Sequence, residues 1–257
     1  MYGFLSIGTD ISKMRWYGTE RDHNILVLDY LGPSLEYIFR YSEHKFKLKT
    51  ALMLVDQMIE WIEYIHRKFV LHRDMKPKNW LMGIGPTSKI VHLIDFGLAK
   101  WFLDAKSMHH IPLLTNRGIV GIARYASINS HEGSEQSRRD DMESLGYLLF
   151  YFLRGSLPWQ DVKESNKKRK HEMICKMKMT TPIKSLRESC PQEFASYFFY
   201  CRSLAFEDAP DYAYLRKKVI KDKQKDIYWK RKKVIKDKLK DIYFPMTNGL
   251  KYIMIKL

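Results

Sequence analysis

The sequence predicts an α+β fold, a mostly helical body with one small β-hairpin near its start. Three observations lead there. Residues 13–31 hold two short strand-like runs around a polar turn. Residues 48–68 repeat apolar side chains at spacings of three and four, the mark of a helix with one buried face. Residues 137–152 begin polar and end in a nearly unbroken apolar run, which suits a helix buried on every side.

The elements follow in order. Lys13–Thr19 and Asn24–Leu31 read as strands flanking Glu20-Arg21-Asp22-His23. A lone hairpin is marginal in water, so this one must pack on something else. Leu31-Gly32-Pro33-Ser34 breaks the second strand, and Ser34 is placed to cap a helix over Leu35–Tyr41. The helix over 48–68 aligns Leu52, Val55, Met58, Ile59, Ile62 and Ile65 on one face. Val91-His92-Leu93-Ile94 is a short strand ending at Asp95, and residues 182–204, rich in aromatics, hold two further helices.

Composition bounds the class. The chain has 257 residues, 45% of them hydrophobic and 29% charged, which fits a globular protein with a real core. It holds no run of 18 apolar residues, so no membrane span is expected, and no secretory signal is read at the N-terminus. Three cysteines without C-x-x-C spacing argue against a disulfide framework or a zinc site. They suit reduced thiols in a cytoplasmic or nuclear protein.

The formal charge of +16 is uneven, because Arg216–Asp241 alone holds 13 Lys/Arg against 4 Asp. That stretch belongs to an internal repeat, RKKVIKDKQKDIYWK followed directly by RKKVIKDKLKDIYFP. Ile220, Ile227, Ile235 and Ile242 recur at helical spacing, so the repeat reads as a basic amphipathic helix or a solvated tail. Such a tail permits acidic partners, nucleic acid included, without specifying one.

Two motifs carry chemistry. His72-Arg73-Asp74-Met75-Lys76-Pro77-Lys78-Asn79 fits H-R-D-x-x-x-x-N, the catalytic-loop pattern of phosphoryl transfer to a hydroxyl. An Asp must accept the hydroxyl proton, a Lys two residues on can reach the transferred phosphate, and an Asn five residues on can turn back to a metal ion. Asp95-Phe96-Gly97 follows an apolar strand, where a carboxylate can hold Mg²⁺ between phosphates. Either motif alone is a modest signal; their order and separation make the pair specific.

Further segments narrow the reading. Leu31-Gly32-Pro33-Ser34-Leu35, Asn79-Trp80-Leu81-Met82-Gly83, Ala123-Arg124-Tyr125-Ala126-Ser127-Ile128-Asn129, residues 135–147, Ser156–Gln160 and Phe206–Tyr212 resemble the casein kinase 1 family of serine/threonine kinases, most closely its alpha branch. The resemblance runs from about Tyr2 to Arg216. It implies a protein-kinase-like fold, with a remnant of the small N-lobe over 1–31, a helical C-lobe over 32–215 and a divergent basic tail over 216–257. It implies ATP and Mg²⁺ as cofactors. Asp74 would be the base, Lys76 would steady the γ-phosphate, and Asn79 and Asp95 would ligate the metal. Asp29, Tyr30 and Leu31 would be the hinge that binds adenine, with Leu28 as gatekeeper and Leu81 as the floor. Asp141 would brace the catalytic loop. Acidic or already phosphorylated protein substrates would dock on two anion sites, Arg73 with Lys100 and Arg117, and Arg124 with Lys170. The protein would act as a monomer. Lys167-Lys168-Arg169-Lys170 also reads as a nuclear-import signal.

The same resemblance implies departures. Met1 falls in the last turn of the family's αC helix, so the Gly-rich loop, the phosphate-holding β3 Lys and the αC Glu are expected to be missing. Ile122 replaces a Thr whose hydroxyl would bridge Asp74 and Lys76. Losing one electrostatic group of this kind costs on the order of 100-fold in rate, so little ATP turnover is expected. Three readings therefore stand: an impaired kinase, a non-catalytic module docking acidic or phosphorylated partners, and an incomplete gene product.

Overall fold

A computed structural model describes residues 1–5, 14–186, 190–219 and 252–256. Helix α1 (Tyr2–Leu5) is a single turn that buries Tyr2 and Leu5. Strands β1 (Met14–Glu20) and β2 (His23–Asp29) form an antiparallel hairpin in which Glu20 faces His23. Arg21, in the turn, adopts a positive φ of 52°. Helix α2 (Leu35–Tyr41) starts where Ser34 Oγ accepts from the Tyr37 N–H at 3.2 Å. Helix α3 (Leu48–Arg67) follows, and all six residues of its predicted apolar stripe are buried.

Two small ladders frame the loops below. Strand β3 (Val70–Leu71) pairs with β6 (Lys100–Trp101), and β4 (Trp80–Met82) pairs with β5 (Val91–Leu93). The segment leaving β2 is stitched to β4: Gly32 N–H donates to Met82 O at 2.8 Å, and Met82 N–H donates to Pro33 O at 3.0 Å. A Cβ at Gly32 would lie 2.9 Å from Gly83 O, so only glycine allows this approach.

Beyond the short α4 (Ile128–His131), helix α5 (Arg138–Arg154) runs through the centre of the body. Its first turn is fixed by Asp140, whose Oδ2 accepts from Ser137 N–H at 2.7 Å. From Asp140 to Leu153 every residue is buried, as the apolar run predicts. Helices α6 (Lys167–Thr180), α7 (Ile183–Leu186), α8 (Gln192–Ser203) and α9 (Tyr212–Val219) complete the helical part. Helix α5 packs between α3 and α8, and α9 returns against α3. There Arg216 pairs with Asp56 at 2.7 Å and Glu60 at 2.8 Å. The start of the duplicated basic segment thus ends α9; the rest of the helix expected over 216–245 lies outside the described residues.

The hairpin is not alone. Strand β7 (Tyr252–Lys256), from the far end of the chain, pairs antiparallel with β2 and makes a three-stranded sheet ordered β1-β2-β7. The two-stranded remnant read from the sequence thus gains a neighbour that local patterning does not show. No helix among the described residues is long and apolar enough to cross a membrane.

Candidate active site

Strand β3 delivers the chain into His72–Asn79, and one buried carboxylate holds this loop. Asp141, in the first turn of α5, accepts from the backbone N–H of His72 at 2.8 Å and of Arg73 at 2.9 Å. It also faces His66 Nε2 at 2.9 Å, and the other nitrogen of that ring meets Tyr212 Oη at 2.7 Å. Burial pushes the His66 and His72 imidazoles below the usual histidine range. Burial alone would raise the Asp141 carboxyl, but its bonds to His66 and the His72 backbone hold it below the usual carboxylate range. Asp141 is therefore an anion with its acceptors occupied. Arg73 takes a positive φ of 66°, and the bonds to Asp141 stabilise that strained turn.

The loop then brings Asp74, Lys76 and Asn79 close to Asp95. Asp74 is buried, and Lys76 Nζ contacts its Oδ2. The same ammonium lies 3.6 Å from Asp95 Oδ2. Asn79 Nδ2 donates to Asp74 O at 3.0 Å, which leaves its amide oxygen free for another partner. Asp95 sits at the end of β5 with φ 66°, and its side chain is 40% exposed. Phe96 anchors it from behind, edge-on to the rings of His72 at 5.2 Å and Tyr2 at 5.1 Å. Asp95 N–H donates to Tyr2 Oη at 2.7 Å. Asp74, Lys76, Asn79 and Asp95 thus share one cleft.

Tyr2 is a contact of the Asp95 segment that the sequence does not reveal. It precedes the hairpin by a dozen residues, and only the packing of α1 on Phe96 reveals it. Burial pushes its phenol up to about 12, so it stays neutral.

Leu28, Leu31 and Leu81 are buried at the end of β2 and in the neighbouring β4, while Tyr30 is exposed. Asp29 Oδ1 pairs with Arg15 at 2.5 Å across the hairpin. The first predicted anion site is assembled, with an acid at its centre: buried Glu135 faces Lys100 at 2.8 Å, Arg117 at 3.6 Å and Arg73 at 3.9 Å. Three cations around one carboxylate leave a net charge of two in favour of an anion. Arg124 and Lys170 are not joined by any contact. Arg124 lies in the segment that α6 holds through Lys178, and Lys170 is about two turns nearer the start of that helix.

Ile122 lines a small cavity with Asp74, and Asp74 Oδ1 is buried without a hydrogen-bond partner. A buried, unsatisfied carboxylate oxygen is costly unless a proton or donor arrives.

The donor set fits a magnesium–nucleotide complex. One carboxylate and one amide oxygen are hard ligands, and Mg²⁺ takes its remaining ligands from phosphates and water. No cluster of three His, Cys, Asp or Glu able to hold a metal unaided occurs among the described residues. Lys76 between the Asp74 and Asp95 carboxylates, with Asn79 bonded to the same loop, forms one polar cleft on a helical scaffold. Residues 6–203 match the family model of the protein kinase domain, and the chain belongs to the protein kinase family. Its fold is accordingly α+β, with a mostly helical lobe. Protein kinase domains use ATP and Mg²⁺.

Proposed function

We propose that the chain is a serine/threonine kinase of the casein kinase 1 type that phosphorylates acidic or already phosphorylated proteins at a reduced rate. One observation carries this reading: Lys76 joins Asp74 and Asp95 in a single cleft, with Asn79 bonded to the same loop. Magnesium-bound ATP supplies the phosphoryl group and neutralises part of its charge. Asp74 orients the substrate hydroxyl and takes its proton. Lys76 moves from its carboxylates to the transferred phosphoryl oxygens. Asn79 and Asp95 would ligate the metal, while Leu28, Leu31 and Leu81 would enclose the adenine beside the backbone of Asp29 and Tyr30. Asp141 holds the loop in register throughout.

The Glu135 cluster supports the substrate class. Lys100, Arg117 and Arg73 are pre-assembled, so a substrate phosphate meets fixed donors. Arg124 and Lys170 form a second, looser basic site. The chain would act as a monomer in cytoplasm and nucleus, with Lys167–Lys170, exposed over its first three residues, as the import signal.

The test is transfer of labelled phosphate to casein by the purified chain and by Asp74→Asn. Slow transfer that disappears in the variant is the expected result; equal transfer by both sinks the reading. The orphaned Asp74 Oδ1 favours a second reading, a non-catalytic module that docks phosphorylated partners. That reading predicts no transfer, with phosphopeptide binding that weakens in Arg124→Ala.

A further inference from the structure

Arg124 and Lys170, the two cations of the looser basic site, sit on different elements, one on the segment before α4 and the other on α6. A single phosphate can use both only if those elements keep a fixed register. The backbone around Arg124 shows what fixes it. Its amides turn inward: Tyr125 N–H donates to Ile122 O at 2.9 Å, and Ala126 N–H donates to the same oxygen at 3.1 Å. Its carbonyls are taken by side chains from other elements. Lys178 Nζ donates to Ala123 O at 2.8 Å and to Ala126 O. Trp159 Nε1 donates to Arg124 O at 2.8 Å, and His131 Nε2 meets Ala123 O at 3.0 Å.

A lysine is a costly choice for this place. Lys178 is 1% exposed, with its ammonium 4.5 Å from the centre of the Tyr147 ring and 5.2 Å from that of Trp159. Glu143, whose charge favours the ammonium, is itself bonded to Arg202 at 3.1 Å and to Tyr147 at 2.8 Å. A cation buried on carbonyls and aromatic faces is expensive to desolvate. An apolar side chain of similar length would fill the space at lower cost, but it would untie Ala126 O from α6.

The other end of the turn rests on the catalytic loop. A Cβ at Gly121 would lie 2.5 Å from Arg73 O and 3.4 Å from Asp74 Cα. Lys170 stands about two turns from Lys178 on α6. The Arg124 guanidinium lies 5.9 Å from the Tyr125 ring, which packs on Tyr151 of α5 at 5.7 Å. The tie from Lys178 therefore sets Arg124 against both Lys170 and the loop of Asp74.

We propose that Lys178 is a positioning residue of the phosphate-docking surface, holding Arg124 in register with Lys170 through the carbonyls of Ala123 and Ala126. Trp159 does the same through Arg124 O. Neither side chain touches the substrate. This inference rests on reading Arg124 as a docking residue.

The test is a double-variant cycle on the full chain. The probe is a fluorescein-labelled acidic peptide carrying one phosphoserine, titrated by anisotropy. Arg124→Ala should weaken binding by about tenfold and Lys178→Met by about fivefold. A lysine that acts through Arg124 has nothing left to position once that side chain is gone, so the double variant should bind like Arg124→Ala alone. A loss of general stability would instead add to the effect of Arg124→Ala. Trp159→Phe, which removes the indole donor and keeps a ring, enters the same cycle if Lys178→Met does not fold. Additive losses overturn the proposal, and so does unchanged binding by Lys178→Met while Arg124→Ala weakens it; in both cases the docking role of Arg124 stands. If Arg124→Ala binds like the parent, the docking reading itself is wrong and this inference goes with it.

Discussion

Asp74 presents its two oxygens to different surroundings, and that asymmetry sets the chemistry of the cleft. Oδ2 meets Lys76, whereas Oδ1 is buried and unbonded beside Ile122. An isoleucine cannot donate, so the free oxygen is less firmly aimed than one held by a hydroxyl. Ile122→Thr is expected to raise kcat by roughly tenfold, the worth of one hydrogen bond to a charged group. The comparison is made at saturating ATP against the parent chain, and an unchanged kcat would show that Oδ1 needs no donor. The neighbouring Gly121 is constrained in the opposite sense. Its φ is +82°, and a Cβ there would lie 2.5 Å from Arg73 O. Gly121→Ala should therefore destabilise the chain by about 2 kcal/mol or more, because left-handed strain and a backbone clash add. Urea unfolding measures this, and a midpoint matching the parent would contradict the close approach of segment 121–127 to the catalytic loop.

At the scale of elements, α6 shows what patterning reveals and what it conceals. Its first turn, Lys167–Lys170, reads from sequence only as a basic run, yet Asn166 Oδ1 caps it by accepting from Arg169 N–H at 3.1 Å. Near its end Lys178 is fully buried, donates to Ala123 O and Ala126 O, and sits 4.5 Å above the Tyr147 ring. Burial lowers its ammonium from 10.5 to about 7. His131 also reaches Ala123 O, at 3.0 Å, and burial lowers it from 6.5 to about 4. Both folded-state values lie below the unfolded ones, so the unfolded chain binds more protons in each window. Stability should rise with pH between about 4 and 6.5 through His131, and between about 7 and 10.5 through Lys178. In Lys178→Met the upper rise should vanish; urea midpoints that climb in parallel for both proteins across that window would refute the assignment. Helices α2, α3 and α5 were legible because their caps and apolar spacing are local: Ser34, the stripe from Leu52 to Ile65, and the run after Leu145 each sit within a few turns. The catalytic loop and Asp95 were legible because fixed spacings encode their chemistry. Tyr2 on Phe96, Lys178 under segment 123–126 and β7 on β2 were not, since each joins residues far apart in sequence by packing or backbone pairing.

On the scale of the whole molecule, two sources of positive potential act differently. The repeat from Arg216 to Asp241 carries a large share of the +16 charge in a single stretch, whereas Arg73, Lys100 and Arg117 converge on buried Glu135. Diffuse charge attracts any acidic partner and is screened within about 8 Å at physiological salt. Pre-oriented guanidinium and ammonium groups form direct hydrogen bonds to a phosphate, and salt weakens these less. Raising salt from roughly 0.05 to 0.3 M should therefore weaken an acidic peptide and its phosphorylated form together, while the ratio of their affinities survives. Arg117→Ala, exposed and outside the proposed ATP cleft, should lower that ratio by about tenfold at both salt concentrations. Replacing the lysines of 232–240 by glutamine should flatten the salt dependence and leave the ratio intact. Peptide titrations by fluorescence anisotropy measure both quantities. If the ratio falls with salt as steeply as the affinity itself, or follows the 232–240 lysines rather than Arg117, then phosphate is attracted by the overall field and the Glu135 cluster is not a recognition site.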